Sequence, residues 1–122
     1  MTAFVSGHLD LTKEEFNEHY VPKLLDAMNR DDKFVVGDAR GADLMAQRYL
    51  YDMMDCIGFV TVYHMFEKPR NLVENFSTKG GYKSDDERDA AMTAESDYDI
   101  AWVRLGREKS GTAKNIQRRN KS

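Results

Sequence analysis

The chain has a single cysteine, Cys56, among its 122 residues. One cysteine excludes an internal disulfide framework and any cysteine-rich zinc site. Its expected role is small, buried filling near a helix end. Long hydrophobic runs are also missing. The opening apolar stretch, Ala3-Phe4-Val5, is too short for a signal peptide or a membrane span. No membrane partner is therefore expected, and a cytoplasmic location is the default. Positive charge is not in excess: the net charge is −3, so no global basic field argues for a nucleic-acid duplex. No internal repeat or low-complexity stretch occurs. What is present, 32% charged and 41% hydrophobic residues, is the composition of a soluble globular chain, and the length favours one domain over residues 1–122.

Short β-branched and aromatic runs alternate with helical spacing. Ala3-Phe4-Val5-Ser6-Gly7 reads as a first strand. Thr12 with Glu15 is a capping-box pattern, followed by Phe16, Tyr20, Leu24, Leu25 and Met28 at helical spacing. Pro22 falls inside that run, which predicts a kink or two helices. Lys33 to Gly37 is a second strand. Ala42, Met45, Ala46, Tyr49, Leu50, Met53 and Met54 predict a helix ending near Cys56-Ile57-Gly58. Phe59 to Tyr63 is a third strand. His64 to Lys83 has no clear period and is expected to hide a short helix around Asn71 to Phe76 or to act as a lid, with Lys79-Gly80-Gly81-Tyr82 as its hinge. Ser84 with Glu87 is a second capping box opening a helix through Ser96. Asp99 to Leu105 is a further strand, and Ser110-Gly111-Thr112 starts a final helix ending in Arg118, Arg119 and Lys121. This order predicts an α/β fold, a Rossmann-like three-layer sandwich with a mainly parallel sheet of about four or five strands. Ligands of such sheets lie beyond the carboxyl ends of the strands, at the topological switch point.

The unusual glycines fall in those segments. Phe34-Val35-Val36-Gly37-Asp38-Ala39-Arg40-Gly41-Ala42-Asp43 is a strand, a glycine turn and a helix start. That geometry aims backbone N–H groups at an anion. Gly37, Gly41 and Ala42 supply the turn, Arg40 adds positive charge, and Asp38 is a candidate acceptor for ribose hydroxyls. Asp43 either favours the helix N-terminus or joins the site. Ser110, Gly111 and Thr112 are a second small-residue helix start, with an N-cap, close approach and a hydroxyl donor in that order. Ser6, Gly7 and His8 are a third; the histidine is read either as structural or as a ligand contact. Arg88 lies in the first turns of its helix, where the dipole disfavours a cation, and is therefore assigned another task. Asp85-Asp86-Glu87 reads as a solvated acidic first turn. No histidine sits at a ligand spacing, so neither a metal nor a cofactor is expected. Tyr49, Tyr51, Met53 and Met54 cover more than one face of their helix, which suggests a homodimer surface.

Together these residues resemble the SLOG superfamily, the Rossmann-like group that includes the Lonely Guy phosphoribohydrolases and the YspA-like proteins. The resemblance spans nearly the whole chain. Val5-Ser6-Gly7-His8 matches a first strand ending in a Ser/Thr-Gly pair. Gly37 to Asp43, with Leu44 and Ala46, matches the G-G/D-A-R-G-A-D block of the YspA-like branch. Arg88, Met92, Ser96-Asp97, the following strand and Ser110-Gly111-Thr112 occur in the expected order. The resemblance implies a nucleotide-like small-molecule ligand held by glycine turns. In the phosphoribohydrolase branch an arginine in E-R-K-x-x-M and a glutamate three residues after Gly-Thr support cleavage of an N-glycosidic bond. Glu87-Arg88-Asp89 with Met92 resembles the first motif, so Arg88 inherits the arginine role. The second motif departs: Asn115 stands where the glutamate is expected, and Glu108-Lys109-Ser110-Gly111-Thr112 replaces P-G-G-x-G-T.

An amide cannot carry the negative charge that stabilises an oxocarbenium-like transition state. Binding without turnover, as a sensor or sequestering module, is therefore the first expectation. The alternative is a nucleotide N-glycosidase with Arg88 as the orienting cation and Asp38 or Glu87 as the substitute carboxylate. A partner-binding structural domain is the third.

Overall fold

The computed structural model describes residues 1–53, 57–73 and 76–121. Five parallel strands form one sheet in the order β4-β3-β2-β1-β5. They are β1 (Thr2–Val5), β2 (Lys33–Gly37), β3 (Val60–Met65), β4 (Ser77–Tyr82) and β5 (Tyr98–Ile100). Val5 stands level with Val36 on one side and with Ile100 on the other, so the carboxyl ends of the central strands form one rim. The chain leaves β1 for β2 on one side and returns with β5 on the other, which makes the β1/β5 boundary the switch point.

Apolar residues on both faces of the central strands force cover on both sides. Alternate residues Ala3, Val5, Phe34, Val36, Val60 and Val62 pack with Phe16, Leu24 and Leu50, from α1 (Lys13–His19), α2 (Val21–Asn29) and α3 (Ala42–Met53). Phe4, Val35 and Tyr63 face the other way, onto Met92 of α4 (Asp85–Ala94), beside which lies α5 (Gly111–Asn120). The result is the three-layer α/β/α sandwich with the parallel sheet that the sequence implies. No helix among the described residues is long and apolar enough to cross a membrane.

The Thr12–Glu15 capping box forms in full, and Pro22 divides the first helical run into α1 and α2, lying in the first turn of α2. The second capping box is half made: Ser84 Oγ accepts from Glu87 N at 3.1 Å, but the Glu87 carboxylate accepts from Lys83 N at 2.7 Å. The helix it opens, α4, ends at Ala94, two residues short of Ser96.

Three expectations need correction. Lys79-Gly80-Gly81-Tyr82 is no hinge: it ends β4, an exposed edge strand paired with β3. Asn71 to Val73 and Phe76 are not helical; Glu74 and Asn75 lie outside the described residues. The last strand stops at Ile100, and residues 101–105 leave the sheet. They form a strap in which Trp102 N donates to Tyr20 Oη (3.1 Å) and Arg104 N to His8 Nε2 (2.9 Å). Met54 and Cys56 lie outside the described residues. On α3, Tyr49 packs against the core, while Tyr51 and Met53 are exposed.

Candidate functional site

A cavity of about 270 Å³ opens at the carboxyl rim beside the switch point. Ser6, Gly7 and His8 line it from the turn after β1, Ala39 and Asp43 from the turn after β2. Ser110, Gly111 and Thr112 close it from the start of α5, and Arg88 stands in its wall. The separate small-residue corners of the sequence do meet.

The β1 turn is held rigidly. Ser6 N donates to Ile100 O (3.1 Å), and Tyr20 Oη donates to Ser6 O (2.7 Å). Ser6 is 6% exposed, and its Oγ has no hydrogen-bond partner among the described residues. A buried hydroxyl without a partner costs about 1–3 kcal/mol. His8 is buried and accepts from the Arg104 amide at Nε2. Burial, then Arg107 and Arg104, push its pKa down, so the ring is neutral with its proton on Nδ1.

The glycine turn after β2 behaves differently from its expectation as an anion cradle. Ala42 N donates to His8 O at 3.1 Å, and Ala39 N donates to Asp43 Oδ2 at 3.2 Å. The Gly37 carbonyl accepts from Gln47 Nε2 at 3.1 Å. These groups are spent inside the protein, and the turn docks α3 against the β1 loop. Arg40 is exposed and does not line the cavity; neither do Gly37, Gly41 or Ala42. Asp38, with no exposed surface, lies behind the wall. Its carboxylate accepts from Arg70 N (2.8 Å), Nε (3.2 Å) and Nη2 (2.9 Å), and from Arg88 Nη1 (2.7 Å). Burial pushes the Asp38 carboxyl up, but Arg70 and Arg88 outweigh it and hold it below the usual range. With its oxygens occupied, Asp38 is an anchor for two arginines. Glu87 is exposed, bound to the Lys83 amide and outside the cavity lining.

Free donors concentrate at α5. Ser110 Oγ caps the helix through Ala113 N at 3.2 Å. The amides of Gly111 and Thr112, in the first turn, have no acceptor within the helix. A β carbon on Gly111 would meet nothing within 4 Å, so this end faces open space. Arg107 lines the same end, and its guanidinium contacts Asp10 at 3.4 Å.

Asp89, a carboxylate of the cavity lining, escaped the sequence reading of the site. Asp89 Oδ1 accepts from Arg88 Nε (3.1 Å) and Nη2 (2.9 Å), and its Oδ2 accepts from Asn115 Nδ2 (3.1 Å). A charged residue following Arg88 was the available signal. Asp43 was singled out, but its state was not legible: burial pushes its carboxyl up to about 7, against the pull of Arg88 and with added repulsion from Asp89 and Asp38. Arg70 carried no signal, because it comes from the aperiodic segment after β3.

The raised Asp43 pKa has a consequence for stability. The folded protein holds this proton more tightly than the unfolded chain, so the contribution is complete below about pH 4 and is lost as pH rises through about 7. Melting of the parent and Asp43→Asn at pH 5 and pH 8 is expected to show the variant gaining on the parent at pH 8. A gap that does not change with pH would contradict the assignment.

No protein-family model, curated protein or solved structure matches the chain.

Proposed function

We propose that this protein binds a small phosphorylated ligand of nucleotide type, with its phosphate at the α5 N-terminus. The observation that carries the reading is the Ser6 hydroxyl, unpartnered among the described residues, in the same cavity as the Gly111 and Thr112 amides, for which the helix itself supplies no acceptor. Arg107 adds positive charge at that end. The cavity volume, about 270 Å³, falls just below the ~300–1,000 Å³ range for ligand sites, which favours a mononucleotide over NAD or another dinucleotide. The parallel sheet is of the class implied by the resemblance to SLOG proteins.

Isothermal titration against nucleoside monophosphates, ADP-ribose, NAD and cyclic nucleotides tests the reading. Gly111→Asp is the informative variant. Its side chain enters open space, and an acid in the first turn suits the helix dipole, so stability is expected to hold or rise. The added carboxylate repels the phosphate, and binding is expected to fall about tenfold or more, equivalent to ~1.4 kcal/mol. Silence across the whole panel, or unchanged affinity in Gly111→Asp, defeats the reading.

A second reading, hydrolysis of a nucleotide N-glycosidic bond, is favoured by one observation. Asp43 lines the cavity with a carboxyl poised near neutrality, the condition for proton transfer to a leaving base. The candidate acid thereby moves from Asp38 and Glu87 to Asp43, while Arg88 keeps an orienting role. Chromatography for free base after incubation with nucleoside monophosphates decides; absence of release leaves binding alone.

A further inference from the structure

The strap after β5 hangs from two side chains. Tyr20 Oη accepts from Trp102 N at 3.1 Å, and His8 Nε2 accepts from Arg104 N at 2.9 Å. The two holds differ in kind. Burial pushes the pKa of the Tyr20 hydroxyl up, so it keeps its proton and accepts through its oxygen at any ordinary pH. An imidazole nitrogen accepts only while it carries no proton. A proton taken from solvent onto the Nε2 lone pair sets an N–H of His8 against the N–H of Arg104.

The groups around the ring do not compensate that charge. Burial, Arg107 and Arg104 disfavour the imidazolium. Asp10 and Glu15 favour it but serve other cations. Glu15 accepts from Arg104 Nε at 2.9 Å and Nη2 at 2.7 Å, and Asp10 is shared by Arg104 and Arg107. Across the cavity, Asp43, Asp85 and Asp89 each lie beside Arg88, with Arg70 as a further cation on Asp85. From α1, His19 stacks on Trp102 at 4.0 Å, and His8 meets the same indole edge-on at 6.1 Å; His19 can add positive charge there but no negative.

Beyond Arg104 the turn bonds to itself. Gly106 N donates to Glu108 Oε1 (3.2 Å), Arg107 N to Arg104 O (2.9 Å) and Ser110 N to Arg107 O (3.0 Å). Leu105 is 93% exposed, and Gly106, at φ +88°, faces open space. The turn therefore has room to move as a unit, and it carries Arg107 at the cavity and Ser110 at the start of α5.

We infer that His8 is an acid-operated latch: protonation of Nε2 breaks the bond from Arg104 N, and the turn 105–109 swings outward, taking Arg107 from the cavity mouth. The Arg104 guanidinium keeps its grip on Glu15, so the movement is local and the sheet stays intact. The fold favours the neutral ring. Its contribution to stability is full above the unfolded value of 6.5 and is lost as pH falls through the lower folded value, so release belongs to pH below 6.5. The latch does not depend on what the cavity binds.

The test is NMR of the full chain without ligand, from pH 7.5 downward, following the His8 ring, the signals of residues 104–110 and the exchange protection of the Arg104 amide. The turn is expected to shift with the same midpoint as the ring. Protection of the Arg104 amide, corrected for intrinsic exchange, is expected to fall about tenfold, the effect of losing one hydrogen bond in an otherwise intact fold. In His8→Gln, whose side-chain oxygen accepts at every pH, the turn is expected to show no transition; in His19→Gln the transition is expected to remain. Undiminished Arg104 protection while the ring titrates would overturn the latch. So would a turn transition whose midpoint departs from that of the ring or disappears in His19→Gln, or a ring that stays neutral until the fold itself is lost.

Discussion

Asp38→Ala is expected to destabilise the protein by about 3 kcal/mol or more, read as a fall in the urea midpoint at unchanged slope. The reason is what the carboxylate leaves behind. Asp38 has no exposed surface, and the Arg88 side chain that it binds at 2.7 Å is only 6% exposed. Removing one member of a buried pair strands the other charge in a low dielectric, which costs far more than an exposed pair is worth. Asp89 and Asp85 still hold Arg88, at 2.9 Å and 3.2 Å, and keep the loss toward the lower end of the ~3–5 kcal/mol range for broken buried pairs. The variant also frees Arg70, whose backbone and side chain tie the segment after β3 to the end of β2 through Asp38. The pH dependence separates this charge effect from lost packing. A depressed carboxyl contributes stability above its unfolded pKa, near 4, and loses it as pH falls through the lower folded value. The difference between parent and Asp38→Ala should therefore be full at pH 7 and shrink in strong acid. A difference that persists there would mean that packing dominates.

The same pair shows what a sequence can and cannot disclose. Arg88 was conspicuous because a cation sits badly near a helix N-terminus, and it proved to be buried among carboxylates. Asp38 was conspicuous only as part of a glycine turn, and nothing local revealed that Arg70 would claim its oxygens. The core strands were legible because Phe34-Val35-Val36 and Phe59 to Tyr63 are apolar on both faces, as a covered parallel sheet requires. β4 was not, because Ser-Thr-Lys-Gly-Gly-Tyr is an exposed edge strand in which Tyr82 alone is partly buried. Residues 101–105 are apolar enough to pass for strand, but the Trp102 and Arg104 amides donate to Tyr20 Oη and His8 Nε2, side chains that no local pattern can supply. For the site, spacing identified three small-residue corners but not which still had donors to offer. The most regular of them, Gly37 to Asp43, gives the Ala42 amide to a carbonyl from the neighbouring loop, whereas the plainer Ser110-Gly111-Thr112 sets the Gly111 and Thr112 amides in a first turn, where the helix supplies no acceptor.

That docking makes Gly41→Ala the other severe substitution, with an expected loss of about 3 kcal/mol or more and a matching loss of ligand binding. Gly41 has φ +71°, a conformation costing an L-residue about 1–2 kcal/mol. Strain alone would be tolerable, but the added β carbon would also overlap the Leu9 carbonyl and lie 2.5 Å from His8 O. Both are backbone atoms, so no rotamer change relieves the collision. His8 O is the acceptor for Ala42 N, and pushing the loops apart breaks that bond, moves Ser6 and His8 away from Asp43 and opens the cavity. Gly106→Ala isolates the conformational part. Gly106 has φ +88° with nothing within 4 Å of the position a β carbon would take, so its loss should stay near the ~1–2 kcal/mol of left-handed strain. Equal destabilisation by the two substitutions would show that the contact between the β1 and β2 turns carries no energy of its own. A much larger effect at Gly41, with binding lost there and retained at Gly106, is the result expected if that contact holds the cavity together.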